Sequence, residues 1–209
     1  MITLYHSPGM AGLVVHWLLL ELGLAHDWQR VNTDAGEHKQ PAYLALNPAG
    51  LVPTIVIDGQ PITEAAAIAL YLADADPDHR FVPAPGLARA AYYQWMLYFA
   101  NTLQPAFRAW FYPTEPAGEA HVDAAKAAAR ARIESGWDRI DAHLAAHGPY
   151  MLGDAVTTPD FLAVMLMRWS RNMPRPATQW PAIARFVAAM RARPAWNELY
   201  AREGLTEWL

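Results

Sequence analysis

The residues best suited to chemistry lie in segment 47–65, with the sequence NPAGLVPTIVIDGQPITEA. Glu64 brings a carboxylate to the start of a predicted helix, where free backbone N–H groups suit the carboxylate of a ligand. Pro53 cannot donate to a strand ladder, and a proline that heads a strand favours a cis bond that exposes the N–H and C=O of Val52. An acidic side chain, a helix N-terminus and a strand edge together indicate a clamp for a peptide.

Each of these features also has a simpler interpretation. An acid at the start of a helix is favourable through the helix dipole alone, without any ligand. Val52 is also compatible with ordinary packing at the head of a strand. The clamp is therefore a hypothesis that depends on how the flanking elements place the three features.

The first half of the chain predicts a small mixed sheet flanked by helices. Asp58-Gly59 is a strong hairpin turn between two short strands, and Thr63 is the predicted cap of the helix that follows. Earlier in the chain, Gly23 ends a first helix that follows a Ser-Pro-Gly turn. The predicted strands are residues 2–6, 27–31, 54–57 and 60–62, and the predicted helices are residues 10–22 and 64–74.

The second half carries no strand signal and predicts helices only. The proline-rich segment 77–86 is the predicted linker, which divides the chain into domains 1–76 and 87–209. Thr157 and Asp160 have the spacing of a capping box. Helices are predicted over residues 87–112, 119–146, from 158 onward, 181–193 and 195–202.

Composition limits the possible classes of function. The 209 residues are 54% hydrophobic and 17% charged, which predicts a large core, and the formal charge of −4 argues against a nucleic-acid surface. The absence of cysteine excludes disulfides, thiolate metal sites and cysteine nucleophiles, and no metal site is predicted. Without a recognisable signal peptide or an apolar run long enough to span a bilayer, we expect a cytoplasmic protein with no membrane partner.

Three motifs resemble one known family over the whole chain. The order N-P-x-G-x-V-P, hairpin, T-E-x-x-A-I is similar to the glutathione-binding half of glutathione transferases. The start TLYHSPGMAGLVVHWLLLELG resembles their first strand and helix, and GDAVTTPDF resembles the cap of a core helix in their second domain. The resemblance implies an α/β thioredoxin-like N-terminal domain followed by an all-α C-terminal domain, a homodimer, and a role in detoxification with glutathione as co-substrate.

The resemblance also implies how glutathione is held. Glu64 would pair with the γ-glutamyl ammonium, and Ala65 stands where the family usually has a serine that binds the γ-glutamyl carboxylate. Val52 would pair its backbone with the cysteinyl unit. For the glycine carboxylate His38, Lys39 and Gln40 compete, while theta-like members have a lysine in place of Leu51. The predicted glutathione-binding residues are Met10, Ala11, His38, Lys39, Leu51, Val52, Pro53, Glu64 and Ala65.

The thiol end departs most from the family. Ala11 stands where beta-like members have a cysteine, and none of the usual donors is present. The remaining hydroxyl candidates are Ser7, which also suits an ordinary turn before proline, and Tyr5, which also suits the core. The amides of Met10 and Ala11 at a helix N-terminus offer a second way to lower the thiol pKa.

The second substrate is expected to be a small apolar electrophile. Tyr92, Trp95, Phe99 and Thr102 form one stripe at helical spacing, and Asn101 is a polar residue within the same run. We predict that some of these residues line its pocket. A helical core or a dimer interface would explain the same stripe.

Three functions remain open from the sequence. The leading hypothesis is a glutathione transferase that conjugates the thiolate with an apolar electrophile. The second is a non-catalytic binder of glutathione or of a hydrophobic ligand. The third is a glutathione-dependent isomerase, because the absence of cysteine argues against thiol-disulfide chemistry.

Overall fold

The computed structural model describes residues 1–208 and divides the chain into two compact units. The first unit comprises residues 1–80 together with 191–207, and the second comprises residues 81–190 and 208. The C-terminal helix therefore belongs to the same unit as the N-terminal sheet. The domains predicted from the sequence, residues 1–76 and 87–209 with a linker over residues 77–86, stay a prediction.

The strands and helices follow one another with short connections. The strands are β1 (Ile2–His6), β2 (Asp27–Arg30), β3 (Thr54–Ile57) and β4 (Gln60–Thr63). The helices of the first unit are α1 (Leu13–Glu21), α2 (Pro41–Leu44), α3 (Ala65–Ala75) and, at the far end of the chain, α10 (Pro194–Glu203). Between them lie α4 (Leu87–Tyr98), α5 (Gln104–Phe111), α6 (Thr114–Ala117), α7 (Val122–His147), α8 (Thr158–Trp169) and α9 (Pro181–Arg191).

The four strands form one mixed sheet in the order β2-β1-β3-β4. β1 is parallel to β2 and antiparallel to β3, and β3 is antiparallel to β4. Asp58 and Gly59 both have positive φ, of 49° and 83°, which is the backbone of the tightest hairpin turns. The predicted mixed sheet flanked by helices is confirmed.

The core of the first unit is built around α1. Its residues from Leu13 to Leu19 are all buried, because α1 lies between the sheet, α3 and α10. The indole rings of Trp17 and Trp196 meet at 4.7 Å between ring centroids, and Arg193 pairs with both carboxylate oxygens of Glu21 at 2.6 Å. These contacts attach α10 to α1.

The second unit contains helices joined by loops, and no strand of the sheet lies among its described residues. Helix α8 is buried along almost its whole length, and its capping box is confirmed: Asp160 accepts hydrogen bonds from the N–H and the hydroxyl of Thr157. The single helix predicted over residues 87–112 is interrupted by a π-helical turn at Phe99–Leu103. Pro105 lies just beyond this turn and lacks the N–H that an uninterrupted α-helix needs there.

The start of α3 also differs from the prediction. Thr63 was expected to cap the helix, but it pairs with Thr54 as the last residue of β4, and Glu64 occupies the N-cap position. None of the helices within residues 1–208 is both long enough and apolar enough to cross a bilayer.

Candidate functional site

A free strand edge lies just before β3. The Val52-Pro53 bond is cis, as predicted, and we find no hydrogen bond to the N–H or C=O of Val52 among residues 1–208. The carbonyl of Leu51, by contrast, accepts hydrogen bonds from the Tyr43 hydroxyl and the Asn47 side-chain amide, each at 2.7 Å. Tyr43 and Asn47 therefore fix the loop so that Val52 keeps both backbone groups available. Their role was not apparent from the sequence.

Glu64 lies at the mouth of α3 in an unusual backbone conformation. Its φ is 68° and its ψ is 106°, a region that costs a residue with a side chain roughly 1–3 kcal/mol. The side chain is exposed, and its carboxylate has no hydrogen bond or ion pair among the described residues. Ala65, the next residue, is 5% exposed and begins the helix. An unpaired carboxylate thus lies directly beside the free amides of the first turn of α3.

Lys39 and His38 occupy a short 3₁₀ helix, Glu37–Lys39, beside the loop that leads to Val52. Lys39 Nζ donates to the carbonyl of Gly50 at 2.7 Å and lies 3.4 Å from that of Ala49, so this lysine helps to hold the loop. An ammonium has three donors, and one remains for an anion. His38 Nδ1 is buried without a hydrogen-bond partner among the described residues, and Leu51 is 44% exposed. The assignment of the glycine carboxylate to His38 or Lys39 stays a prediction.

The thiol end is built on a turn at residues 7–10. Met10 N–H bonds to the carbonyl of Ser7 at 3.1 Å, and Gly9 has a φ of 72°. A proline followed by a residue with positive φ gives a type II turn. Of the two amides predicted to face a thiol, that of Met10 is therefore already used, whereas that of Ala11 has no hydrogen bond within residues 1–208.

The two hydroxyl candidates lie in different surroundings. Ser7 Oγ is 3.4 Å from Thr33 Oγ1, which also lies 3.6 Å from the sulfur of Met10. Tyr5 is half-buried on the face of β1 opposite to His6, because successive side chains of a strand alternate. Their catalytic assignment stays a prediction.

A buried group of two imidazoles and one carboxylate lies beneath this turn. The Oε2 atom of Glu203 accepts a hydrogen bond from the Gly9 N–H at 2.8 Å. Its Oε1 atom lies 2.9 Å from His16 Nδ1 and 3.2 Å from His6 Nε2. All three side chains are fully buried. A side chain at Gly12 would come within 2.4 Å of His6 Cβ, so α1 begins in direct contact with this group.

The charge of Glu203 is stabilised by these partners. Burial on its own raises the pKa of the Glu203 carboxyl, but hydrogen bonds from His16 and the Gly9 N–H, together with the nearby His6 ring, outweigh burial and lower that pKa to about 2. Residue types and spacing alone assigned no role to His6, His16 or Glu203. The sequence signal for this buried group is weak. His16 interrupts an apolar run, and Glu203 ends a helix 194 residues after Gly9, so nothing local links the two segments.

The same three side chains form a possible metal site. Their ligand atoms all lie within 4.8 Å of one another. Histidines that bind a metal normally donate their second ring N–H to a protein acceptor. Here His6 Nδ1 and His16 Nε2 have no hydrogen-bond partner among the described residues. The geometry favours a carboxylate held by hydrogen bonds, and the expectation of no metal stays a prediction.

The residues predicted to line a second-substrate pocket belong to the second unit. Tyr92 and Phe99 are fully buried, and Tyr92 donates a hydrogen bond to Thr158 Oγ1 at 3.0 Å. Trp95 stacks on Phe99 and is 7% exposed. Thr102 is half-buried and Asn101 is exposed. Most of the stripe thus contributes to the helical core, and its role in a pocket stays a prediction.

Two models of protein families match the chain. The model of the glutathione S-transferase N-terminal domain matches residues 12–75, and that of the C-terminal domain matches residues 94–194. The chain belongs to the glutathione S-transferase family. The glutathione transferase architecture predicted from the sequence, an α/β N-terminal part and an all-helical part after it, is confirmed.

Relatives of this family member resemble it over nearly their whole length. It is 30% identical to glutathione S-transferase GST-4.5 of Xanthomonas campestris pv. campestris, over 97% of this chain and 98% of that protein. A glutathione transferase homologue from Sulfitobacter, solved with bound glutathione, superimposes with a TM-score of 0.91 at 25% identity over 99% of both chains. A sphingomonad glutathione S-transferase complexed with glutathione gives a TM-score of 0.85 at 29% identity, over 98% of this chain and 100% of that one.

Proposed function

We propose that the protein is a glutathione transferase that adds the thiolate of glutathione to a small apolar electrophile. The observation that carries the proposal is Glu64: an exposed, unpaired carboxylate held at a φ of 68° beside the first amides of α3. Strained backbone of this kind persists mainly at functional sites. A γ-glutamyl group offers an ammonium for the carboxylate and a carboxylate for the amides, so both halves of the site find a partner.

The middle of the tripeptide fits the edge at Val52. Its unpaired N–H and C=O groups, both without a hydrogen bond in residues 1–208, can pair with the cysteinyl unit as one strand pairs with another. Lys39 supplies the positive charge for the glycine carboxylate. The two relatives that carry bound glutathione support the same ligand for this chain.

Thiol activation would rest on the backbone of the first helix. A free thiol with a pKa near 8.5 is only a few per cent thiolate at neutral pH. The unpaired N–H of Ala11 just before α1, together with the helix dipole, favours the thiolate without a hydroxyl donor. Thiolate formed in this way attacks the electrophilic carbon of the second substrate, and the leaving group or the neighbouring atom takes the electron pair.

The remaining features complete the proposal. The exposed apolar side chains of α4, Leu87, Tyr93 and Leu97, support a homodimer that buries them. Asn101 and Thr102, on the π-helical turn, are the accessible members of the predicted pocket for the electrophile. A cytoplasmic location and a role in detoxification fit a glutathione-dependent conjugation.

The alternative is a protein that binds glutathione without turnover. It is favoured by Ala65 in place of a serine and by the lack of a hydroxyl or thiol at Ala11. One hydrogen bond to a charged group is worth roughly 1.5–3 kcal/mol, so these replacements weaken binding and activation without abolishing either.

The test combines glutathione titration calorimetry with activity measurements. Glu64→Gln keeps the shape of the side chain and removes its charge, so we expect glutathione affinity to fall roughly tenfold or more. Glu119→Gln makes the same change at an exposed acid of the second unit and is expected to leave affinity unchanged. If Glu64→Gln bound glutathione as tightly as Glu119→Gln does, the proposed site would be contradicted. Binding without turnover toward a panel of electrophiles would favour the non-catalytic alternative.

A further inference from the structure

Glu203 is a buried group that the proposed conjugation does not use, yet it bonds to the turn on which the thiol site is built. The Gly9 N–H donates to its Oε2 atom at 2.8 Å. His16 Nδ1 contacts its Oε1 atom at 2.9 Å. These contacts join α10 to α1 and to the turn after β1, all within the first compact unit.

The turn leaves its Gly9 N–H in need of a partner. A type II turn is closed by the hydrogen bond between its first and fourth residues, here Ser7 and Met10. The Gly9 N–H takes no part in that bond and is satisfied by Glu203. Because Ala11 follows the closing residue directly, the orientation of its N–H depends on the orientation of this turn.

The carboxylate is itself held in place. His16 Nδ1 contacts the oxygen that does not bind Gly9, and His6 Nε2 lies 3.2 Å from the same oxygen. Rotation of Glu203 would therefore leave the buried His16 nitrogen without its partner. Gly12 packs directly on His6, and a Cβ there would lie 2.4 Å from His6 Cβ. The start of α1 is therefore supported from two sides by the same buried group.

We propose that Glu203 is a positioning residue for the glutathione thiol: it orients the Gly9 turn so that the Ala11 N–H faces the sulfur. The inference rests on the proposed transferase function. It assigns to the last helix of the chain a role in the first step of the reaction. Glu203 touches neither glutathione nor the electrophile and acts only through the backbone of residues 9–11.

The decisive variant is Glu203→Gln, which keeps the volume of the side chain and removes its charge. A displaced catalytic group reduces rates by up to about a hundredfold, and we expect kcat/KM for glutathione to fall by at least fivefold. The apparent pKa of the bound thiol, followed by ultraviolet absorbance of the thiolate, should rise. Glu198→Gln on the same helix is the matched control, because Glu198 is exposed and pairs only with Arg202 among the described contacts. It should change neither quantity.

Three outcomes would overturn the inference. The first is an unchanged kcat/KM for glutathione together with an unchanged thiol pKa in folded Glu203→Gln, when the wild-type protein is active. The second is stoichiometric binding of Zn²⁺ on titration with zinc chloride, since coordination would take the lone pairs that the hydrogen bonds use. If Glu203→Gln does not fold, His16→Leu replaces it: the carboxylate loses its contact at 2.9 Å, so kcat/KM for glutathione should fall and the thiol pKa should rise, and no change in either quantity is the third outcome. Failure of wild-type protein to bind glutathione would instead remove the proposed function.

Discussion

Replacing Gly12 by alanine tests how tightly the first helix is built onto the buried histidine. Gly12 is the N-cap of α1 and has a φ of −70°, so its backbone conformation is open to any residue. Alanine in place of glycine stabilises the interior of a helix, but glycine is preferred over alanine at an N-cap, so helix propensity offers no gain here. The contacts of the added methyl group predict that the substitution destabilises the fold.

The magnitude follows from the distances around the new Cβ. It would lie 2.4 Å from Cβ, 2.6 Å from Cγ and 2.7 Å from Nδ1 of His6. Carbon atoms prefer separations of about 3.5–4.0 Å, so the overlap exceeds what small adjustments relieve. His6 is fully buried in the central pair of strands and has no room to withdraw. Overpacking of this kind costs about 1–3 kcal/mol.

Thermal unfolding of Gly12→Ala should therefore show a lower Tm. A net loss of about 2 kcal/mol corresponds to a decrease of about 4–8 °C for a chain of this size. Gly23→Ala is the control, since Gly23 has a φ of 64° and nothing within 4 Å of an added Cβ, so that only backbone strain acts there. Combining Gly12→Ala with His6→Gly should remove most of the Gly12 effect, because His6→Gly takes away the Cβ as well as the ring, as expected for residues in contact. A Gly12→Ala protein as stable as wild type would refute the reasoning.

Four further predictions concern other parts of the first unit. Ala65→Ser should raise glutathione affinity about tenfold in calorimetry by restoring a hydroxyl for the γ-glutamyl carboxylate, and an unchanged affinity would show that this carboxylate lies elsewhere. Ser7→Ala should leave kcat within about twofold, since backbone amides activate the thiol. Arg193→Met should lower the free energy of unfolding by roughly 1–3 kcal/mol in denaturant titrations, because Glu21, with a side chain only 8% exposed, loses both hydrogen bonds. The pKa of Glu203 is about 2, against an ordinary value of 4.5, so the ionised carboxylate contributes fully to stability above pH 4.5 and this contribution is lost as the pH falls toward 2. Glu203→Gln should therefore flatten the pH dependence of Tm between pH 4.5 and pH 2.

The parts of the fold that the sequence predicts are those with local signals. The Asp58-Gly59 hairpin and the Thr157 capping box each involve residues no more than three positions apart, and both are present. The start of α3 was misplaced because Thr63 is a good cap in isolation, while its pairing with Thr54 depends on how β4 lies against β3. Local propensity loses to tertiary pairing at such a position.

In the candidate site, too, local features could be predicted from the sequence and long-range contacts could not. Val52 and Glu64 lie within one short segment, so residue types alone are enough to predict a peptide clamp there. The contact between Gly9 and Glu203 joins the two ends of the chain, and no pattern in either segment indicates it. Long-range contacts of polar residues have no periodicity to reveal them, since each depends on the packing of whole helices.

In the proposed transferase no side-chain donor activates the thiol, so the contacts that orient the backbone become important. A hydroxyl on a rotatable side chain can adjust to the sulfur, whereas a backbone N–H points only where its turn directs it. Under that proposal the N–H of Ala11 requires a rigid support, which consists of the Glu203 carboxylate on Gly9 and the tight contact of Gly12 with His6. Substitutions at these buried positions should impair thiol activation more than substitution of Ser7, although Ser7 is the hydroxyl nearest in sequence to the turn. An enzyme that depended instead on Ser7 would show the reverse order of sensitivity.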